Sequence, residues 1–540
     1  MIRKRTIGAL AALGGTTVAL ALLLSLPAAK ADDVTDLQAN PELAKRVDQL
    51  AQVGLQRPQL PPGTAVGAGS FPRSFLIPGT DTSLLIGGYV KLDATDYLSG
   101  SGVNGNAATS LEGAPVISGL PLDLHGTGLF APAFFNAHSR GNGAIQFTAK
   151  ESRLRVETRT PTTWGEAATV FEMDFYGCQS GGGAGDCNNL NHTSNANVPR
   201  LRLAYGTLGG FEAGQNWVPV LDLAAQPELF DFGGDFAFGY ARAPQFGYKM
   251  PLPWLGASFT AALVYPTTTL DTPAGQISTD TAGGTFGTVE PTTGAGAVTG
   301  LAVNPTKSTY PDLNLVLNWQ QPWGHLQLGG VVQDLEIDDG ALISQQYIGY
   351  GGGFSGDVKP LWFGWMKDDL TFGAYAGDGL DRYATDGTGT SPVGAAGLAT
   401  NFGGPGLYGS ASTPGSVSTA GVVLPGVAGG PLTPAGAAVI RASTISVWSG
   451  QTSYQHWWTP VLRSTASFSI VHYNIPVSLV GMHAATFSMN KELVSSHLNL
   501  IWSPVPFIDT GIEYTYGHRV ALFNAKGDEN AVDLAVKVKF

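Results

Sequence analysis

The 540-residue sequence is poor in several things at once. It has two cysteines, nine histidines and only 13% charged residues. Beyond its first thirty residues no stretch stays apolar for the roughly 18 residues that a membrane helix needs. A helical membrane bundle is therefore excluded. Acids outnumber bases, with a formal net charge of −12, so the basic footprint of a nucleic-acid binder is absent. The histidines are scattered singly, and there is no Gly-x-Ser-x-Gly elbow. An outer-membrane hydrolase would need a nucleophile, a base and an orienting group within reach, and no catalytic residue is assigned. With His192 the only imidazole near the cysteines, a metal pair lacks ligands; no metal or cofactor is expected.

What is present begins with a secretory leader. Arg3, Lys4 and Arg5 precede an apolar core from Ile7 to Leu26, and Ala29-Lys30-Ala31 gives a small-x-small cleavage site. This pattern predicts a signal peptide. Its removal leaves 509 residues and takes four cations but no acid, so the net charge becomes −16. The seventy-three glycines, about twice the usual share, disfavour helices and suit turns and loops. Cys178 and Cys187 flank a Gly-rich segment. In an oxidising compartment this spacing predicts a disulfide closing a short loop.

The C-terminal segment alternates cleanly. Val532, Leu534, Val536, Val538 and Phe540 fall on one face, and Asp533, Lys537 and Lys539 on the other. A strand with one greasy and one wet face, ending on an aromatic residue, suits a membrane barrel. The whole chain parses the same way, into sixteen strands: roughly 83–97, 144–159, 166–177, 198–207, 210–217, 239–249, 255–265, 312–321, 325–335, 360–367, 370–377, 444–457, 461–473, 493–502, 507–518 and 531–540. The connections alternate long and short, and an even count closes a single-chain barrel with both termini in the periplasm. In the second strand the alternation slips near Glu151, which predicts a bulge. Trp164, Trp254, Trp319, Trp323, Trp365, Trp457, Trp458 and Trp502 lie in or near the short turns, where an interfacial aromatic belt belongs. The fold expected is all-β: a sixteen-stranded antiparallel transmembrane barrel with a short N-terminal periplasmic helix.

That helix starts at Asn40-Pro41-Glu42, with a capping side chain, a proline at the first helical position and an acid. Leu43, Val47, Leu50 and Val53 form one stripe, which must be buried by self-association in a small coiled coil or by docking. The expected organisation is a signal peptide (1–31), a short helix (32–56), a Pro/Gly-rich linker (57–80) and the barrel (81–540). The long connections 266–311 and 378–443 are rich in Gly, Ala, Thr and Pro and read as mobile or partly folded caps.

Wet-face residues meet the lumen. Arg153, Arg155, Glu157 and Arg159 share one face of the second strand, and Lys91 on the first strand, Arg153 and Arg155 on the second, Glu172 and Asp174 on the third, and Arg200 and Arg202 on the fourth come to similar height. Adjacent strands lie about 4.8 Å apart, so acids and arginines can pair. Such a ladder can brace the wall, form an electropositive strip that orients anions, or do both. The connection 218–238 carries Asp222, Glu228, Asp231 and Asp235 among large apolar residues. It is expected to fold into the lumen as a constriction, with its acids facing the basic strip.

The segment Phe75 to Tyr97, together with Glu151 to Thr160 and Arg200 to Gly234, resembles DcaP-like outer-membrane porins over about residues 75–250 and at the C-terminus. The resemblance implies a homotrimeric sixteen-stranded channel in outer-membrane lipid, with an N-terminal helical extension and a preference for small anionic solutes such as dicarboxylates. A sugar-selective porin is the nearer alternative; it would want aromatic rings lining the lumen, where Tyr89 and Trp448 are candidates.

Overall fold

A computed structural model describes residues 67–99, 144–177, 198–237, 239, 241–267, 269–272, 275–278, 306–338, 344–360, 367–384, 398–400, 442–476, 490–521 and 526–540. The chain divides into two units, residues 1–67 and 68–540. The expected helix over 32–56, most of the linker and the Cys178/Cys187 pair lie outside the described residues.

The second unit is a closed antiparallel barrel of sixteen strands. These are β1 (Ser83–Ser99), β2 (in two pieces, Ala144–Thr148 and Arg153–Thr162), β3 (Gly165–Gly177), β4 (Val198–Leu208), β5 (Phe211–Trp217), β6 (Arg242–Leu252), β7 (Ala257–Val264) and β8 (Asp312–Gln321). There follow β9 (Gly324–Asp338), β10 (Ser344–Val358), β11 (Asp369–Asp378), β12 (Ser446–Thr459), β13 (Leu462–Asn474), β14 (Asn490–Val505), β15 (Ile508–Ala521) and β16 (Lys526–Lys539). Each pairs with its sequence neighbours, and β16 pairs with β1 in the register Lys537 opposite Lys91. At the seam, Gly88 N–H donates to the Phe540 carbonyl (3.2 Å) and Phe540 N–H donates back (3.1 Å). Gly88 has φ +152°, and a Cβ there would lie 2.0 Å from the Arg153 carbonyl oxygen, so a side chain would break the seam.

The period-2 pattern explains which face points where. On β14, Leu498, Leu500 and Trp502 are 58%, 42% and 51% exposed, while His497 and Asn499 are buried. On β16, Leu534, Val536 and Val538 are exposed and Asp533 is buried. A soluble protein does the reverse; apolar outside and polar inside is what a wall between lipid and lumen requires. Trp164, Trp254, Trp323, Trp458 and Trp502 are exposed at the short-turn end. No helix among the described residues is long and apolar enough to cross a membrane.

Two expectations need correction. The tenth strand is Ser344–Val358, not 360–367. It hides in sequence because Gly349, Gly351 and Gly353 on its inner face and Gly352 and Gly356 on its outer face interrupt the alternation. Glycine is needed there because the wall is crowded: a Cβ on Gly353 would lie 2.1 Å from the Tyr375 ring. As a result the β9–β10 connection spans only 339–343 while β10–β11 spans 359–368. The β15–β16 connection spans only 522–525, so the expected alternation of long and short does not hold throughout. The long loops, expected as mobile or partly folded caps, carry short strands of their own. Thr269–Thr272, Gly275–Ser278, Leu398–Thr400 and Ala442–Thr444 form a separate four-stranded sheet, so the two long connections pair with each other. The interruption expected near Glu151 falls at residues 149–152, between the two pieces of β2.

The barrel is partly filled. Val218, Val220 and Leu221 from the β5–β6 connection cluster with Leu380, Tyr383 and Ala384, which begin the β11–β12 connection. They pack on inward residues of the wall, among them Tyr375, Val447, Val471 and Tyr473.

Candidate solute pathway

The inner face of β2–β4 carries a mesh of charge. Glu157 takes Arg155 (2.9 Å) and Arg159 (2.7 Å) from its own strand, because alternate residues share a face. Across the sheet, Glu172 of β3 accepts from Arg202 Nε (2.9 Å) and lies 3.5 Å from Arg155 and 3.7 Å from Arg153. Asp174 accepts two hydrogen bonds from Arg200 (3.0 and 2.7 Å) and one from Arg202 (2.7 Å). Arg202 reaches both acids because the β3–β4 register shifts there. Lys91 is fully buried, paired with Glu151 and with Asp93 (3.0 Å), and donates to the Phe230 carbonyl (2.5 Å).

The mesh is layered. Side-chain exposure is 25% for Arg153, 34% for Arg155, 37% for Arg159 and 32% for Arg200, against 11% for Glu157, 11% for Glu172 and 0% for Asp174. The carboxylates sit behind these four guanidinium groups, while the Arg202 side chain, 3% exposed, is buried with the acids. Aromatic rings are interleaved: Arg153 lies 5.4 Å from the Tyr89 ring centre, and Arg200 and Arg202 each lie 5.8 Å from Phe232. Phe232 in turn stacks on Tyr176 at 4.4 Å.

The β5–β6 connection crosses the interior, touching β1, β9, β10 and β12 to β15. Its four acids do not face the arginine strip. Asp222 bonds His325 of β9 (2.7 Å) and Ser355 of β10 (2.8 Å). Glu228 takes a forked pair of hydrogen bonds from Arg463 of β13, one of them at 2.6 Å. Asp231 and Asp235 flank His497 of β14 at 3.4 and 3.2 Å. The arginines on β2–β4 already have acids beside them; His325 is shared between Asp222 and Asp357 of β10, and Arg463 between Glu228 and, at 3.7 Å, Asp509 of β15. Burial alone would raise the Glu228 carboxyl, but the hydrogen bonds and charge of Arg463 outweigh it and hold Glu228 below its ordinary value. Glu513 of β15 completes the anchorage by accepting the N–H groups of Phe230 (2.7 Å) and Asp231 (2.9 Å). What the loop turns towards the arginines is the ring of Phe232.

A second inward segment escaped sequence reading. Tyr383 donates to Asp312 (2.8 Å), Arg382 donates to Asp312 and Thr267, and Gln333 donates to the Gly379 and Leu380 carbonyls. Its only sequence signal is Leu380 and Tyr383 in an otherwise polar stretch.

Residues 71–220 match the family model described as "Porin subfamily". The outer membrane channel DcaP of Acinetobacter baumannii has the same architecture: TM-score 0.55, 17% identity, 85% of this chain and 97% of that one covered. The fold is that of a porin barrel. An anion-selective porin from Comamonas acidovorans is more distant, with TM-score 0.44, 10% identity and coverage of 85% and 100%; at that distance the likeness carries no inference. No curated protein matches the sequence. The wet inner face is what the wall of such a barrel requires. Among the described residues no group of acids, histidines and cysteines is arranged to hold a metal ion.

Proposed function

We propose that this outer-membrane porin lets small polar solutes diffuse through it, favours anions such as dicarboxylates, and works as a homotrimer. The layering of the mesh carries the reading. A passing solute meets guanidinium groups, while the paired carboxylates lie buried behind them. Net charge is a poor guide, because a charge acts over about 8–10 Å in physiological salt, and low-dielectric walls focus the local field. Guanidinium groups can grip a carboxylate in two-point contacts. Aromatic rings in the interior would suit a sugar-selective porin, but Tyr89, Tyr176 and Phe232 lie beneath guanidinium groups, so their faces are taken.

The test is the zero-current potential of the channel in a planar bilayer under a potassium chloride gradient. Anion preference is expected, and a strongly cation-selective channel overturns the reading. Liposome swelling with dicarboxylates against neutral sugars of equal size then reads the solute class. Chemical cross-linking in detergent reads the trimer.

A further inference from the structure

Arg155, Arg159, Arg200 and Arg202 are each bound to a carboxylate within 2.9 Å. Their charge is largely spent on the wall. Two other interior cations are different. Arg242, at the start of β6, makes no hydrogen bond and no ion pair with a described residue, and its Nη1 is buried without a partner. Lys537, on the inner face of β16, likewise has no carboxylate within bonding distance. Each lies over an aromatic ring: Arg242 is 4.9 Å from the centre of Trp217, and Lys537 is 4.9 Å from the centre of Tyr89. A ring face holds a cation in place without cancelling its charge.

Trp217 packs against the apolar cluster inside the barrel, and the charges nearest Arg242 in effect are Arg202, Arg200 and Asp174 of the mesh. Lys537 stands opposite Lys91 in the β16–β1 register, with Glu151 its nearest acid in effect. Arg153 links the two: it shares the Tyr89 ring with Lys537, its Nε is unpartnered, and its contact with Glu172 is 3.7 Å.

We infer that Arg242 and Lys537 determine the charge selectivity of the channel: they are the unspent cations to which a transiting anion binds in succession. A cation held partly out of water without a counter-ion is costly, and an anion in transit relieves that cost at each position. This assignment rests on the anion-preferring reading above and moves its weight away from the paired arginines.

The experiment uses the full-length porin in planar bilayers under a potassium chloride gradient. Arg242→Gln and Lys537→Gln should each lower the chloride-to-potassium permeability ratio about twofold, and the double variant about fourfold, the scale expected where a focused local potential is reduced stepwise. Succinate, added as a probe, should block chloride current less in both variants. Arg242→Lys and Lys537→Arg keep the charge and should keep the ratio. Should a glutamine variant fail to give the heat-modifiable barrel, the methionine variant retains the apolar stem over the ring and replaces it. A wild-type channel without anion preference overturns the proposed function. An anion-selective wild type whose ratio is unchanged in the folded double variant overturns this inference alone.

Discussion

Replacing His497 with alanine tests whether the constriction loop is held by charge. The His497, Asp231 and Asp235 side chains are all fully buried, with the two carboxylates 3.4 and 3.2 Å from the two ring nitrogens. An ionised carboxylate only accepts, so both nitrogens must donate and the ring is an imidazolium whenever both acids are ionised. Removing one member of such a buried group leaves the others uncompensated, at about 3–5 kcal/mol. The loop would not leave the interior. Glu513 still holds the Phe230 and Asp231 N–H groups, Lys91 still holds the Phe230 carbonyl, and Arg463 still holds Glu228. The loss therefore falls on the equilibrium between a docked and a loosened loop. At one factor of ten per about 1.4 kcal/mol, the loosened population rises by about two to three and a half orders of magnitude. Loop motions of this kind fall in the microsecond-to-millisecond range, within reach of single-channel recording. His497→Ala should fold as a heat-modifiable barrel and show excess current noise with excursions to higher conductance. His497→Lys, which restores a cation, should be quieter. A folded alanine variant with the mean conductance and noise spectrum of the wild type would refute the claim that this cluster pins the loop.

Other expectations are simpler to state. Gly353→Val should reduce the yield of folded barrel strongly, because the new side chain begins 2.1 Å from the Tyr375 ring; recovery of normal heat-modifiable protein would show that β11 can shift away. Titration of unreduced, denatured protein should find no free thiol, since Cys178 and Cys187 are expected to be joined; two titratable thiols would disprove the link.

The barrel was legible wherever a strand has one lipid face and one wet face. β8, β14 and β16 announce themselves because Leu315, Leu498 or Val536 must be apolar while Asn314, His497 or Asp533 must not. β10 did not, because its inner face presses against other protein and glycines on both of its faces interrupt the alternation. Pairing of arginines with Glu157, Glu172 and Asp174 followed from parity on adjacent strands, which is local information. The partners of the loop acids did not: Asp222 meets a histidine 103 residues away, and Glu228 meets an arginine 235 residues away. Arg242 was ambiguous for a related reason. By parity it belongs with Phe246, which is 50% exposed on the outer face, and only its stacking on Trp217 sets it with the interior.

The second inward segment changes what it means to widen this channel. Leu380, Tyr383 and Ala384 pack with Val218, Val220 and Leu221 against inward apolar residues of the wall, so part of the tube is built like the inside of a globular domain. The root of the β5–β6 connection and the start of the β11–β12 connection are packed into one apolar body inside the barrel. Cutting out residues 379–384 would not leave a larger clean bore. It would strip a greasy lining bare to water and free the root of the neighbouring loop, and the emptied interior would tend to close on itself by bringing apolar surfaces together.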